Sequence, residues 1–268
     1  MTADGLPPCR LQFAFAAEAP VAVVLRRGPS RWVQMLRWDA TADAFEAGQW
    51  LHGRIVTFDV SPDGAHVLYY VSPHARRPPY SWVALSRPPL LTALAVWPMP
   101  DSRDTDCAFV DDRHIAIRPG ATGRRPTLAP GFRLRRYALA EGPYRWDWDW
   151  RMRRDGWTAD VPPDHPAGWG CYFLPWSKPS PDGRAVLHLQ NHQGGGRSYQ
   201  LDTPEGARPL PDATQADWDP RGRLVAGLAG RLAVLRPEPE GGFGVHVLVD
   251  LNDQRPEPVP PPPGADRW

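Results

Sequence analysis

Ser180-Pro-Asp-Gly-Arg-Ala-Val-Leu-His-Leu189 runs on to a triple glycine at 194–196, then to Arg197-Ser-Tyr-Gln-Leu-Asp202, Pro204-Glu-Gly206 and Arg208-Pro-Leu210. Proline presets φ for the first central position of a turn, aspartate bonds a backbone amide just ahead of it, and glycine accepts positive φ. The runs between these turn signals are short and carry Val, Leu and Tyr, which predicts strands. Strand, turn, strand, turn, strand is the outline of one meandering sheet.

The same tetrapeptide stands at Ser61–Gly64, between Ile55-Val-Thr-Phe-Asp-Val60 and Ala65-His-Val-Leu-Tyr-Tyr-Val71. A weakened copy, Asp219-Pro-Arg-Gly222, lies within 214–249, and Cys107–Ile117 reads as a further copy whose turn has lost both Pro and Gly. Upstream, Leu11–Ala16, Val21–Leu25 and Arg31–Trp38 are strand-like and separated by short turns. A second group extends from about Trp50 to Pro98, and a third from about Asp106 to Leu139, interrupted by a Pro/Gly/Arg loop at 119–126. No segment has a convincing helical period, and the apolar run Leu90–Val96 is too short for periodicity to decide.

With these turns, apolar strands and glycine hairpins, the chain resembles the bacterial TolB-type, or WD40-like, β-propeller repeat. Residues 177–210 match it best, residues 55–97 in their first half, and residues 214–249 through Ala216–Gly222 and the strand that follows. The resemblance implies an all-β protein: a β-propeller of five or six four-stranded blades, since 268 residues divide by a repeat of about 40 to 50. A single propeller domain is expected over 1–254, followed by a Pro-rich C-terminal tail over 255–268. That tail reads as a polyproline-type segment, either solvated or docked on a partner. Propellers host scaffolds, ligand binders and enzymes alike, so the resemblance specifies no activity.

A formal charge of +1 and a pI near 7.8 exclude a large net field that would draw the chain to nucleic acid or an anionic membrane. Of 31 basic residues Lys178 is the only lysine, a bias that first reflects a GC-rich genome. Cys9, Cys107 and Cys171 are far apart and in no metal-ligand spacing. The first residues lack a basic start and an apolar run, and no stretch approaches 18 apolar residues, so a cytoplasmic protein is expected. That departs from TolB itself, which is exported.

Tyr144-Arg-Trp-Asp-Trp-Asp-Trp-Arg-Met152 alternates strictly. Alternation predicts a strand with Trp146, Trp148 and Trp150 on one face, leading into a long loop. With Arg151, Arg153, Arg154, Trp157 and Trp169 these indoles form the candidate binding set, either as an exposed stacking platform or as packing between sheets. His188 and His192 share a strand side, but no further ligand stands at recognisable spacing, so no metal and no cofactor is expected. No Gly-x-Ser-x-Gly elbow, P-loop, His-Glu-x-x-His or Rossmann glycine pattern occurs, and no catalytic residue is assigned. The adjacency of Asp and Gly in the turns also differs from the sialidase Ser-x-Asp-x-Gly-x-x-Trp box. Asp59, Asp111, Asp112, Asp217 and Asp219 sit near the strand starts, where turn chemistry accounts for aspartate.

The function expected from these readings is a non-enzymatic intracellular propeller that binds another protein through its elaborated 144–176 segment. The alternatives are a carbohydrate or small-molecule hydrolase or lyase using channel carboxylates, and nucleic-acid binding through Arg124-Arg125, Arg135-Arg136 and Arg151–Arg154.

Overall fold

A computed structural model describes residues 6–28, 31–72, 81–99, 106–118, 127–135, 147–162, 164, 172–193 and 196–268. Among the described residues the chain is all-β apart from one short helix, and the strands form five sheets, each built from strands consecutive in sequence. It divides into two compact units. No helix among the described residues is long and apolar enough to cross a membrane.

The first unit comprises residues 1–9, 13–138 and 253–268. Its first sheet has the order β1 (Arg10–Phe15), β2 (Val21–Arg27), β3 (Trp32–Asp39), β4 (Ala44–His52). The second has the order β5 (Ile55–Val60), β6 (Val67–Val71), β7 (Ser81–Ser86), β8 (Ala93–Met99). Of the ambiguous run at 90–96, residues 93–96 therefore enter a strand, β8, in which exposed and buried positions alternate from Ala95 to Met99. The third sheet pairs β9 (Asp106–Phe109) with β10 (His114–Arg118) antiparallel, and β10 with β11 (Arg133–Arg135) in parallel. Val23, Leu25, Met35, Ile55, Val67 and Tyr69 form a core between the first two sheets. Leu68, Val83, Leu85, Trp97, Phe109 and Ile115 form another between the second and third. Strands such as β2 and β6 are buried on both faces, which is why they read as continuous apolar runs rather than alternating ones.

The second unit comprises residues 10–12 and 139–252. After α1 (Asp147–Arg154) come a five-stranded sheet and a four-stranded one. The former is β12 (Thr158–Ala159), β13 (Trp176–Pro179), β14 (Val186–Asn191), β15 (Arg197–Thr203), β16 (Gly206–Pro209). The latter is β17 (Ala213–Trp218), β18 (Leu224–Leu228), β19 (Arg231–Pro237), β20 (Phe243–Asp250). Trp157, Trp176, Leu187, Leu189, Leu201, Leu224 and Leu235 fill the core between them. Thr214 Oγ1 donates to the Leu11 carbonyl at 2.8 Å, so the start of β1 belongs with β17.

Both Ser-Pro-Asp-Gly copies close hairpins in the same way. Ser61 Oγ donates to Asp63 Oδ1 at 2.5 Å and accepts the His66 amide at 2.9 Å. Ser180 Oγ donates to Asp182 at 2.6 Å and accepts the Ala185 amide at 2.9 Å. Gly64 and Gly183 sit at φ of 71° and 69°, the left-handed conformation that explains the glycine. In the weakened third copy Asp219 does the work of both residues, taking the amides of Arg221 and Arg223 and the Arg223 guanidinium. At the copy without Pro and Gly, Asp111 accepts the amides of Arg113 and His114. Burial works against the Asp111 charge, but those amides and the His114 ring outweigh it and hold the carboxyl below its ordinary value. Asp111 and Asp219 are thus turn-forming, as their positions in sequence predict, whereas Asp59, Asp112 and Asp217 bond to residues 39 or more positions away.

The tail returns to the first unit. Its side chains over 253–264 are exposed, as expected of a solvated segment. Its backbone, however, is tied down at Gln254, Val259 and Arg267 by Arg26, Gln49 and Arg87. Trp268 packs at 5.0 Å on Phe132, whose edge meets His66 at 5.2 Å. Burial, reinforced by Arg87 and Arg113, holds the His66 imidazole below its ordinary 6.5, although Asp63 and Asp112 pull the other way. The unfolded chain then protonates His66 more readily than the folded one, so this site lowers stability as pH falls from about 6.5 toward the folded value. The melting temperature is expected to fall between pH 7.5 and 5.5, and His66→Phe to remove part of that fall in paired melts.

Candidate functional site

The segment 144–152 corrects the sequence reading. Residues 147–154 form α1, not a strand, so Trp148 and Trp150 do not share a strand face. Trp146 and Trp169 lie outside the described residues, as do Arg124, Arg125 and Arg136. The alternating pattern is real, but three other forces favour helix. Trp148 and Met152, four residues apart, both pack on the core of the second unit. Arg151, Arg153 and Arg154 occupy the last turn, where cations meet the negative end of the helix. The helix closes in a Schellman arrangement: the Trp157 amide reaches the Met152 carbonyl at 2.8 Å and the Gly156 amide reaches that of Arg153 at 3.1 Å. Gly156 has φ of 87°. Arg-Asp-Gly-Trp at 154–157 is the signal that could have ended a helix on paper.

The candidate residues separate once the helix is formed. Trp157 is buried at the helix exit and belongs to the core. Trp148 stands edge-on to fully buried Trp176, centroids 5.2 Å apart, and to Tyr172 at 5.0 Å. Tyr172 in turn meets Phe173 at 5.1 Å, and Phe173 is 56% exposed. The arrangement is a ladder of aromatic rings from core to surface. Arg153 lies 5.3 Å over Trp176 of this ladder, and on the same helix Arg154 lies 5.3 Å over Trp150 while its Nε donates to Asp155 at 2.7 Å. Arg151 is half-buried on the same helix. Buried Asn191 fixes the outer rungs by donating to the Tyr172 carbonyl at 2.8 Å, and Gln190 donates to that of Phe173 at 2.7 Å. Tyr172, Phe173 and Trp176 were not singled out from sequence, because only the fold brings them against α1.

Two acidic bridges follow one pattern. In the first unit Asp106 Oδ1 takes its neighbour's amide, from Cys107, and the Thr57 hydroxyl at 3.1 Å. In the second, Asp217 Oδ1 takes the Trp218 amide and the Lys178 ammonium at 2.6 Å. The only lysine is thus a link between β13 and β17, with its ammonium 5.8 Å from the Trp157 ring and its carbonyl accepting from Trp218 Nε1. Buried Asp59 accepts the Phe109 amide at 2.7 Å, and Asp112 accepts the Asp63 amide at 2.8 Å. His188 pairs with Asp202 at 3.0 Å and His192 meets the Ser198 hydroxyl at 2.8 Å, which separates the two imidazoles into different partnerships. Among the described residues no group of three or more His, Cys, Asp or Glu is placed to hold a metal.

No family model and no curated protein matches this chain. Similar solved structures include TolB from Acinetobacter baumannii, at 13% identity and a TM-score of 0.30, covering 88% of this chain and 54% of that one. An uncharacterized protein from Listeria monocytogenes EGD-e shows 9% identity and a TM-score of 0.29, covering 91% and 85%. A candidate 6-phosphogluconolactonase from Bacteroides uniformis shows 12% identity and a TM-score of 0.22, covering 93% and 84%. The chain spans about half the length of TolB. At such scores no fold, activity or partner is carried over.

Proposed function

We propose that the five sheets are blades of one β-propeller and that it binds another protein through the aromatic and arginine surface beside α1. The propeller reading is supported by sheets made of consecutive strands and by their apolar cores within each unit.

The observation that carries the binding reading is the ladder ending in Phe173. An exposed phenyl ring on hydrogen-bonded backbone, reached from the helix that also carries the half-buried Trp150 under Arg154, has the composition of an interface anchor. Rigid aromatic rings offer contact area at little entropic cost. The test is a chain carrying Phe173→Ser, Trp150→Ala and Arg154→Ala together. A tagged wild-type chain is expected to recover a protein from its native host that rebinds the pure chain, and the triple variant to bind it at least tenfold more weakly with an unchanged far-UV spectrum. Equal binding by both chains overturns the assignment to this surface, and an affinity that falls steeply with salt for added oligonucleotide favours the nucleic-acid reading instead.

A further inference from the structure

A segment rich in proline has few amides to donate and leaves its carbonyls unused by any internal ladder. A surface that holds such a segment must therefore supply donors. In the first unit three side chains do so along the tail, which carries prolines at 256, 258 and 260–263. Arg26, 2% exposed, donates through one guanidinium nitrogen to the Gly28 carbonyl and through the other to that of Gln254 at 3.0 Å. Gln49, 7% exposed, donates to the Val259 carbonyl at 3.0 Å. Arg87 donates to the Arg267 carbonyl at 2.9 Å.

The donors are built in. Arg26 lies 5.1 Å over the Trp50 ring, and burial lowers its affinity for the proton, the mark of a guanidinium taken out of water. Gln49 Oε1 accepts from the Leu91 amide at 2.7 Å, the Thr92 amide at 2.9 Å and the Thr92 hydroxyl at 2.9 Å, which fixes the amide so that its nitrogen faces the tail. The two contacts fall on carbonyls five residues apart, at Gln254 and Val259. Beyond them Phe132 and His66 receive Trp268.

What these contacts read is backbone. The tail side chains from 253 to 264 are exposed, Val259 among them at 40%, so they contribute little to recognition. We propose that the first unit carries a docking groove for an extended proline-rich segment, read through its carbonyls by Arg26, Gln49 and Arg87, and that residues 254–268 occupy it as an internal stand-in that a partner's proline-rich segment displaces. The groove is distinct from the surface beside α1 and does not depend on it.

A tethered segment acts at an effective concentration of about a millimolar, so a peptide of equal intrinsic affinity in the micromolar range competes roughly a hundredfold less well than it would for an empty groove. Weakening the tail's own hold unmasks the groove. The experiment titrates a dye-labelled, amidated peptide of residues 253–268 against the full chain by fluorescence anisotropy. Trp268→Ala is expected to bind the peptide at least tenfold more tightly than wild type. Adding Gln49→Glu, which keeps the acceptor toward Leu91 and Thr92 but removes the donor, is expected to reverse that gain. Arg87→Ala in the Trp268→Ala background supplies the same readout should the glutamate lower the melting temperature. Equal binding by wild type and Trp268→Ala, no binding by either, or a gain that survives loss of the donors overturns the proposal.

Discussion

Gly48→Ala is expected to lower the stability of the first unit by more than about 3 kcal/mol, beyond the common range for overpacking. Gly48 lies in β4 where its pairing with β3 shifts register. A β-carbon there would stand 2.0 Å from the Pro89 carbonyl oxygen and 2.5 Å from the Pro89 β-carbon, far inside contact distance. The obstruction is backbone, so no flexible side chain can swing aside. Gln49 follows directly, with its backbone nitrogen 3.3 Å from the same carbonyl, and its side chain carries the bonds to Leu91, Thr92 and Val259. Chemical denaturation monitored by tryptophan fluorescence should show the loss in midpoint. Limited proteolysis should cut within 253–268 before the midpoint is reached, because the tail loses its central donor.

The second large effect falls on the only lysine. Lys178→Met is expected to cost about 2 kcal/mol, lowering the melting temperature by about 4–8 °C for a chain of this size. The side chains of Lys178 and Asp217 are only 18% and 16% exposed, so methionine leaves a carboxylate poorly hydrated and without its cation. Asp217→Asn in the same chain should restore at least half the loss, since an amide oxygen still accepts the Trp218 amide and carries no charge. Failure of the second substitution to rescue would show that the ammonium is needed for its place over Trp157 rather than for its charge. Scanning calorimetry on the three chains decides between them.

The sheets were legible where turn chemistry was explicit. Ser61–Gly64, Ser180–Gly183 and Asp219–Gly222 each mark a hairpin, and β1, β2 and β3 begin close to their predicted positions, whereas β4 was not anticipated and takes in Trp50, where a second group was expected to start. The degenerate copy at Asp111 was readable too, because one carboxylate can cap two amides without help from Pro or Gly. α1 was not legible by alternation. Trp148 and Trp150 satisfy period two as well as helix packing satisfies them, and the deciding contacts are with Trp176 and Tyr172, more than 20 residues away. The bridges from Thr57 to Asp106 and from Lys178 to Asp217 span 49 and 39 residues, and no spacing rule anticipates which aspartate meets which donor. The same holds for the tail, whose composition predicted an extended backbone but whose donors come from β2, β4 and the segment after β7.

With one lysine in 268 residues, the chain offers acylating enzymes and amine-reactive labels a single ε-amino group. Its ion pair with Asp217 at 2.6 Å and its place beside the Trp157 ring leave that side chain only 18% exposed, which screens the nitrogen from reagents. Tagging for turnover through lysine side chains is thereby reduced to one poorly reactive address. Conversely, any reagent that does acylate Lys178 reports directly on the opening of the β13–β17 link, which makes this residue a built-in probe of local unfolding in the second unit.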